Sequence, residues 1–224
     1  MNILVFSDTH LYLPFDQKKF NFLKKIINES DQVIINGDFF DDYMISFSDF
    51  IQSSWNQLFP LLKEKKAIYI FGNHDLEKFS DKRLSLFSDL QVNNYQLTLN
   101  NKIFNFEHGH KTRPTPDTKF NLDWKTKHYG MVIVHLIRYL FTKMFAKSAV
   151  IIMYGRNNNG SKQYMKTNYQ INNNHYYVIG HNHFGEVDEK NHFACSGAIL
   201  YGFAQYLTID SISGEIKLHE EWYE

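Results

Sequence analysis

The stretch ILVFSDTH, residues 3–10, runs four apolar residues straight into the polar cluster Ser7, Asp8, Thr9 and His10. A short apolar run closed by polar residues reads as a buried strand with functional groups at its carboxyl end. The pattern recurs along the chain: VII (33–35) leads into NGDFFDD, AIYIF (67–71) into GNHD, IFNF (103–106) into EHGH, and YVI (177–179) into GHNH. Helical spacing lies between the first three. In FDQKKFNFLKKIINES the apolar positions are Phe20, Leu23, Ile26 and Ile27, and FSDFIQSSWNQLFPLLKEK repeats the spacing with Phe47, Phe50, Ile51, Leu58 and Leu62. Strand, helix, strand, helix, strand predicts βαβ crossovers and a parallel-type sheet. The polar clusters then fall beyond the carboxyl ends of the strands, where such sheets hold their sites. HFACSGA, YLTID and EIKLHEEW are closely spaced, with DSISGE as a turn, so the C-terminal part predicts hairpins and a second, more antiparallel sheet. The fold class expected is α/β, two sheets packed together with helices outside.

The 224 residues suffice for one sizeable core, and neither a composition shift nor an internal repeat calls for a second domain. A formal net charge of zero gives no global basic field of the kind that marks nucleic-acid binding. Cys195 is the one cysteine, which excludes an intramolecular disulfide. MNILVFSD has neither a charged leader nor an apolar run of signal-peptide length, and a cytoplasmic location is the expectation.

The segment 120–175 departs from the strand pattern. HYGMVIVHLIRYLFTKMFAKSAVIIMYG (128–155) is too apolar for an ordinary surface helix, yet His135, Arg138 and Thr142 fall on one narrow stripe with Lys143 and Lys147 near its edge. Its charges make it a poor membrane span. It reads as a core or dimer helix, as an interfacial helix touching lipid or a lipid-like substrate, or as a lid. The Asn-rich RNNNGSKQYMKTNYQINNN (156–174) reads as a loop.

The chemistry is concentrated in five clusters: Asp8-Thr9-His10, Gly37-Asp38 with Asp41, Gly72-Asn73-His74-Asp75, His108-Gly109-His110, and Gly180-His181-Asn182-His183. They hold six of the eleven histidines. Taken singly, each has an ordinary reading as a helix cap, turn or loop histidine. All five at strand ends on one sheet edge do not. On an extended segment His181 and His183 project to the same face, and Gly180 lets the backbone approach a neighbour closely. Carboxylate, amide and imidazole donors without a thiolate suit borderline-to-hard divalent cations such as Mn, Fe or Zn. The donors outnumber the needs of one ion. Two ions roughly 3.5–4 Å apart, bridged by a carboxylate and a hydroxide, would use them all and could clamp the oxygens of a phosphate under in-line attack.

In this order, D-x-H, G-D-x-x-D, G-N-H-D, H-G-H and G-H-x-H resemble the calcineurin-like metallophosphoesterase superfamily over residues 3 to about 200. The resemblance implies a four-layer α-β-β-α sandwich of two mixed sheets in a single domain, 1–224, with a helical lid-like insertion at about 111–175. It also implies a metal-dependent phosphoric ester hydrolase in which metal-bound hydroxide attacks a phosphate monoester, diester or pyrophosphate. Carried over position by position, Asp8, His10 and His183 would hold one metal and Asn73, His108 and His181 the other, with Asp38 bridging and manganese expected ahead of iron or zinc. His74 would serve the leaving group, Asp75 would orient it, and Asp41 would steady a ligand from behind; His110 stays open between a neighbour of the site and a loop residue.

The superfamily leaves the substrate open. The insertion is similar in placement and character to the lid of UDP-2,3-diacylglucosamine pyrophosphatases, which implies a lipid-like substrate or a membrane surface met through 129–155. A nuclease, not favoured, would draw on Lys111, Arg113, Lys119, Lys125, Lys127, Arg138 and Lys143. A homodimer and a non-catalytic scaffold on the same fold complete the expectations.

Overall fold

The computed structural model describes residues 1–115, 123–169 and 174–223. The apolar runs pair as two mixed sheets. In the first, β1 (Asn2–Phe6), β2 (Gln32–Asn36), β3 (Ile68–Ile70) and β4 (Leu90–Val92) are parallel neighbours. The second runs β5 (Asn94–Leu99), β6 (Lys102–Glu107), β7 (His175–Ile179), β9 (Phe193–Cys195), β8 (Glu186–Asp188), with β6, β7 and β9 parallel and the two edges antiparallel.

Alternate residues of each strand serve different layers. Ile3, Val5, Ile34, Ile68 and Ile70 meet Phe104, Phe106, Tyr176 and Val178 between the sheets. Leu4, Phe6, Val33 and Ile35 face the other way, against α1 (Gln17–Asn28) through Phe20, Leu23, Ile26 and Ile27. Burial on both faces explains why these strands read as continuous apolar runs. The fourth layer is α6 (Asn157–Asn168), whose Met165 packs with Ile179, Phe193 and Cys195 on the outer face of the second sheet. The molecule is therefore an α-β-β-α sandwich. Register sets the motif loops side by side: Phe6 lies opposite Ile35, Ile35 opposite Tyr69, and Glu107 opposite Ile179.

Several expectations need correction. The C-terminal hairpin does not form the second sheet: β11 (Phe203–Asp210) runs antiparallel to β1, with Leu207 opposite Val5, and is flanked by β10 (Ile199–Leu200) and β12 (Ile216–Trp222). Its apolar alternation fits either sheet, so pattern alone did not choose. The second helical pattern is broken into α2 (Phe47–Gln52), a 3₁₀ turn (Ser54–Leu58) and α3 (Phe59–Glu64). Ser53 takes an extended conformation and caps the Trp55 amide, and Pro60 sits in the first turn of α3, where its missing N–H costs nothing.

The Asn-rich segment is helical over α6 rather than a loop; residues 170–173 lie outside the described set, as does Lys119. Polar contacts hold this helix. Asn158 Nδ2 donates to the Phe184 carbonyl and to Glu186 Oε2, both at 2.9 Å, and Lys162 Nζ reaches Glu186 Oε1 at 2.7 Å and Asp188 Oδ2 at 2.8 Å. Apolar periodicity has little to register in such a helix.

Upstream of it, α4 (Trp124–Phe145) and α5 (Lys147–Tyr154) overturn the core-helix reading. The buried side chains of α4 are His135 and Thr142, while Ile133, Leu136, Ile137 and Leu140 are all more than half exposed. The polar stripe faces the protein and the apolar face looks outward. Among the described residues no helix is long and apolar enough to cross a membrane.

Candidate metal centre

Each motif turns sharply as it leaves its strand. Asp8, His10, Asp38, His181 and His183 all have positive φ, between 41° and 59°. This left-handed conformation costs a residue with a Cβ on the order of 1 kcal/mol or more, and such residues gather at functional sites. Two glycines let the turns nest. A Cβ on Gly37, at φ +88°, would lie 2.3 Å from His108 Nδ1, and one on Gly180 would lie 2.4 Å from Ser7 Oγ. The close approach expected at Gly180 is thus to the Ser7–Asp8 turn.

The strand-end loops bring together three buried groups, Asp8 with His10 and His183, Asp38 with His108 and His181, and His10 with Asp41 and His74. Asp38 Oδ2 touches the first two, at 3.2 Å from His108 Nε2 and 3.7 Å from His10 Nε2. Asn73 Oδ1 lies 3.2 Å from His108 Nε2. All seven residues that the sequence singles out as ligands converge.

The donor atoms are prepared in a consistent way. On each carboxylate one oxygen is tied to backbone: Asp8 Oδ2 accepts from the His181 amide at 2.8 Å and from the Ser7 hydroxyl, and Asp38 Oδ1 accepts from the His74 amide at 2.8 Å. The other oxygen points into the cluster, where Asp8 Oδ1 is buried 3.1 Å from His183 Nε2. Three imidazoles are oriented through one nitrogen, leaving the second to bind. His108 Nδ1 sits 2.8 Å from the Asn36 carbonyl, His181 Nε2 2.8 Å from the Arg113 carbonyl, and His10 Nδ1 3.1 Å from Asp41 Oδ2. Hydrogen-bonding the far ring nitrogen to a carboxylate or carbonyl is how proteins fix a metal-binding imidazole.

Electrostatics agree. Burial opposes the charge on Asp38, but His108 and His74 beside it hold its carboxyl well below the usual range. Burial and the neighbouring His74 push His10 down to about 4, and burial and His108 push His181 down to about 3. Burial works against a charge on His108 too, yet Asp38 and Asp8 raise it to about 10. Ionised carboxylates and neutral imidazoles are the forms that bind metal, so Asp38, His10 and His181 are held ready, whereas His108 would exchange the proton that Asp38 and Asp8 favour for an ion that meets the same negative charge.

Residues 1–185 match the family model of calcineurin-like phosphoesterase. The chain belongs to that family. Solved structures similar to it include YfcE, a phosphoesterase from E. coli (16% identity, 100% of both chains covered, TM-score 0.48). Vps29 from Entamoeba histolytica complexed with zinc is similar at 13% identity over 100% of both chains, with a TM-score of 0.45. The TM1076 protein of Thermotoga maritima is similar at 16% identity, over 99% of this chain and 98% of that one, with a TM-score of 0.47. No curated protein matches the chain.

In this calcineurin-like phosphoesterase the residues behind the donors differ from expectation at one point. The imidazole of His74 is held by Asp41, whose Oδ1 lies 3.0 Å from His74 Nδ1, rather than by Asp75. Asp41 thereby braces both His10 and His74. Asp75 accepts from the amides of Gly72 (2.7 Å), Asp38 (3.1 Å) and Phe39 (2.7 Å) and from the Tyr69 hydroxyl (2.5 Å), so it pins the GD and GNHD turns together. Burial and the nearby Asp38 push its carboxyl up to about 7. His110 sits beside the site, its ring 5.8 Å from that of His108 and tilted to it, and 6.4 Å from that of His181, which it meets edge-on.

A cavity of about 310 Å³ opens over the donors, lined by His10, Asp38, Asn73, His74, His181 and His183 below and by Arg113, Met131, Val134, Arg138 and Tyr154 from the insertion. His135 is a site residue for which the sequence gives only its polar stripe. Its Nε2 lies 3.5 Å from Asp41 Oδ2 and its Nδ1 2.6 Å from the Tyr201 hydroxyl. Asn182, between the two histidines of the last motif, donates to Asn158 Oδ1 at 3.0 Å and Ser161 Oγ at 2.9 Å and locks α6 to the site loop.

Proposed function

We propose that the protein is a dinuclear-metal phosphoesterase that hydrolyses a phosphate ester at the strand-end cluster. The observation that carries this reading is the convergence of Asp8, His10, Asp38, Asn73, His108, His181 and His183, with one oxygen of each carboxylate and one nitrogen of three imidazoles left for metal. Asp8, His10 and His183 would hold one divalent ion and Asn73, His108 and His181 the other, with Asp38 shared between them; manganese, iron and zinc all suit such a carboxylate, amide and imidazole set, and manganese is the ion to load first. Bound ions of this kind supply hydroxide near neutral pH and offset the charge of the phosphoryl oxygens.

The remaining steps fall to the chain. With Nδ1 turned to Asp41, His74 presents Nε2 to the leaving-group oxygen and delivers its proton as the P–O bond breaks. Asp41 keeps that ring and His10 in line, while Met131 and Val134 narrow the water-accessible space above the donors. The test is hydrolysis by metal-stripped and manganese-reloaded protein of an aryl phosphate monoester, an aryl phosphodiester and a UDP-linked pyrophosphate, with His74→Ala alongside. Manganese-dependent turnover that falls in the variant is expected. No turnover of any substrate by protein carrying two ions would favour a scaffold.

A second, finer reading rests on the outward apolar face of α4 and α5: a lipid-linked pyrophosphate substrate, taken by a cytoplasmic protein resting on a membrane surface, with 111–175 as its lid. Ile133, Leu136, Ile137, Leu140 and Met144 form an apolar strip bordered by Lys143 and Lys147, the pattern of an interfacial helix. Co-sedimentation with anionic vesicles tests it; protein that stays in the supernatant and forms a dimer would assign that face to a second copy instead.

A further inference from the structure

We propose that Arg113 and Arg138, which line one cavity with Tyr154, form a subsite for a second phosphate, so that the substrates this site prefers are diphosphate esters rather than simple monoesters. The inference deepens the phosphoesterase reading and rests on it for the position of the first phosphate.

Both arginines line the same cavity as the metal-donor residues, and they reach it from different elements. Arg113 lies on the loop that follows the H-G-H motif, its carbonyl fixed 2.8 Å from His181 Nε2. Arg138 comes from α4, the polar stripe of which faces inward. A tyrosine ring links Arg138 to the donors: its guanidinium stands 5.5 Å from the ring centroid of Tyr154, and that ring is 5.1 Å from the ring of His183. The Tyr154 hydroxyl is buried and has no hydrogen-bond partner among the described residues.

The charge balance points to an anion. Asp8, Asp38 and Asp41 are already engaged with histidines. Among the described residues neither arginine is paired with a carboxylate, although each has the other as a like-charged neighbour; burial and the charge of Arg138 together lower the pKa of Arg113. Two guanidinium groups facing one partly enclosed space repel each other unless something negative lies between them. A phosphate oxygen array matches their planar forks, each of which can donate two parallel hydrogen bonds. The Tyr154 ring, in contact with Arg138 on one side and the donor His183 on the other, sets the Arg138 guanidinium beside the donor cluster rather than within it. A phosphoryl group at His183 and a second one phosphoanhydride link away would occupy the cluster and the arginines together.

The alternative is that the arginines grip the scissile phosphate itself, and the experiment separates the two. Arg113→Gln and Arg138→Gln proteins are compared with the parent for kcat and KM on 4-nitrophenyl phosphate and on ADP-ribose, a diphosphate diester. Binding of inorganic pyrophosphate and inorganic phosphate to the manganese-reloaded proteins is measured by calorimetry. The subsite predicts a parent that binds pyrophosphate more tightly than phosphate. In each variant it predicts at least a tenfold fall in the ratio of kcat/KM for the diester over the monoester, expressed mainly in KM, and a matching loss of pyrophosphate binding. Equal losses on both substrates, or pyrophosphate bound no better than phosphate by the parent, would overturn it. If a Gln variant folds poorly, Lys at the same position keeps the charge and loses the fork, and the same fall in ratio is expected at a smaller size, about threefold. Absence of hydrolysis of either substrate by the parent would count against the phosphoesterase reading, while the calorimetric comparison would still decide the subsite.

Discussion

The strand-end loops and the helical insertion meet at one cavity and are built on opposite rules. In the loops, residue type follows chemistry: Asp8, Asp38 and the histidines around them sit in left-handed turns that a packed core would not require. In the insertion, residue type follows position inverted with respect to an ordinary surface helix, because α4 buries His135 and Thr142 and exposes Ile133, Leu136 and Ile137. A helix whose polar stripe looks inward has its partner inside, in the charged site, and its apolar side awaits another surface. On the function proposed above, the loops would carry the reaction and the insertion would select what is brought to it.

That contrast can be broken most directly at Asp38. Asp38→Asn removes the oxygen that touches both donor groups, and a fall on the order of a hundredfold or more in phosphoester hydrolysis is expected, with fewer than two ions retained per chain by elemental analysis. Near-parental activity would mean that the donors are not the reaction centre.

Asp41 and Asp75 sharpen the comparison within the loops themselves. Asp41→Asn loosens His10 and His74, and a loss of roughly tenfold to hundredfold in metal affinity or kcat is expected with little change in unfolding free energy. Asp75→Ala strands three backbone amides instead, so its main effect is expected in urea denaturation, on the order of 2–3 kcal/mol. If Asp41→Asn destabilised the fold more than Asp75→Ala does, the division of labour between them would be reversed.

The smallest effects belong to the insertion. Lys162→Met leaves Glu186 and Asp188 without their shared cation, and about 1–2 kcal/mol of stability is expected to be lost with α6. Ile133→Lys on the outer face of α4 is expected to change stability by no more than about 0.5 kcal/mol, because that side chain is already exposed. A loss of several kcal/mol there would restore the core-helix reading.

The sheets and the donor set were legible because they rest on short-range signals: a buried strand needs a run such as ILVF, and a metal needs Asp, Asn and His at a strand end. The pairing of the last hairpin with β1 was not, since an alternating strand such as Phe203–Asp210 satisfies either sheet and only tertiary packing decides. The helix at Asn157–Asn168 was hidden because Asn158, Ser161 and Lys162 bind it to the β7–β8 loop and β8 through hydrogen bonds and ion pairs, which leave no apolar period. Asp41 keeps its expected place behind His10 and also takes the one expected of Asp75 at His74, for a similar reason: sequence adjacency favours Asp75, but the turn at Gly72 sends its carboxylate back to the backbone.

The central claim is that these donors hold two ions for hydrolysis. The most direct measurement is metal content by inductively coupled plasma mass spectrometry on protein stripped by chelation and reloaded with manganese, read with turnover of 4-nitrophenyl phosphate on the same samples. Two ions per chain, with activity lost on stripping and regained on reloading, is the predicted result. Turnover that survives complete stripping, or reloaded protein that binds no manganese, would contradict it.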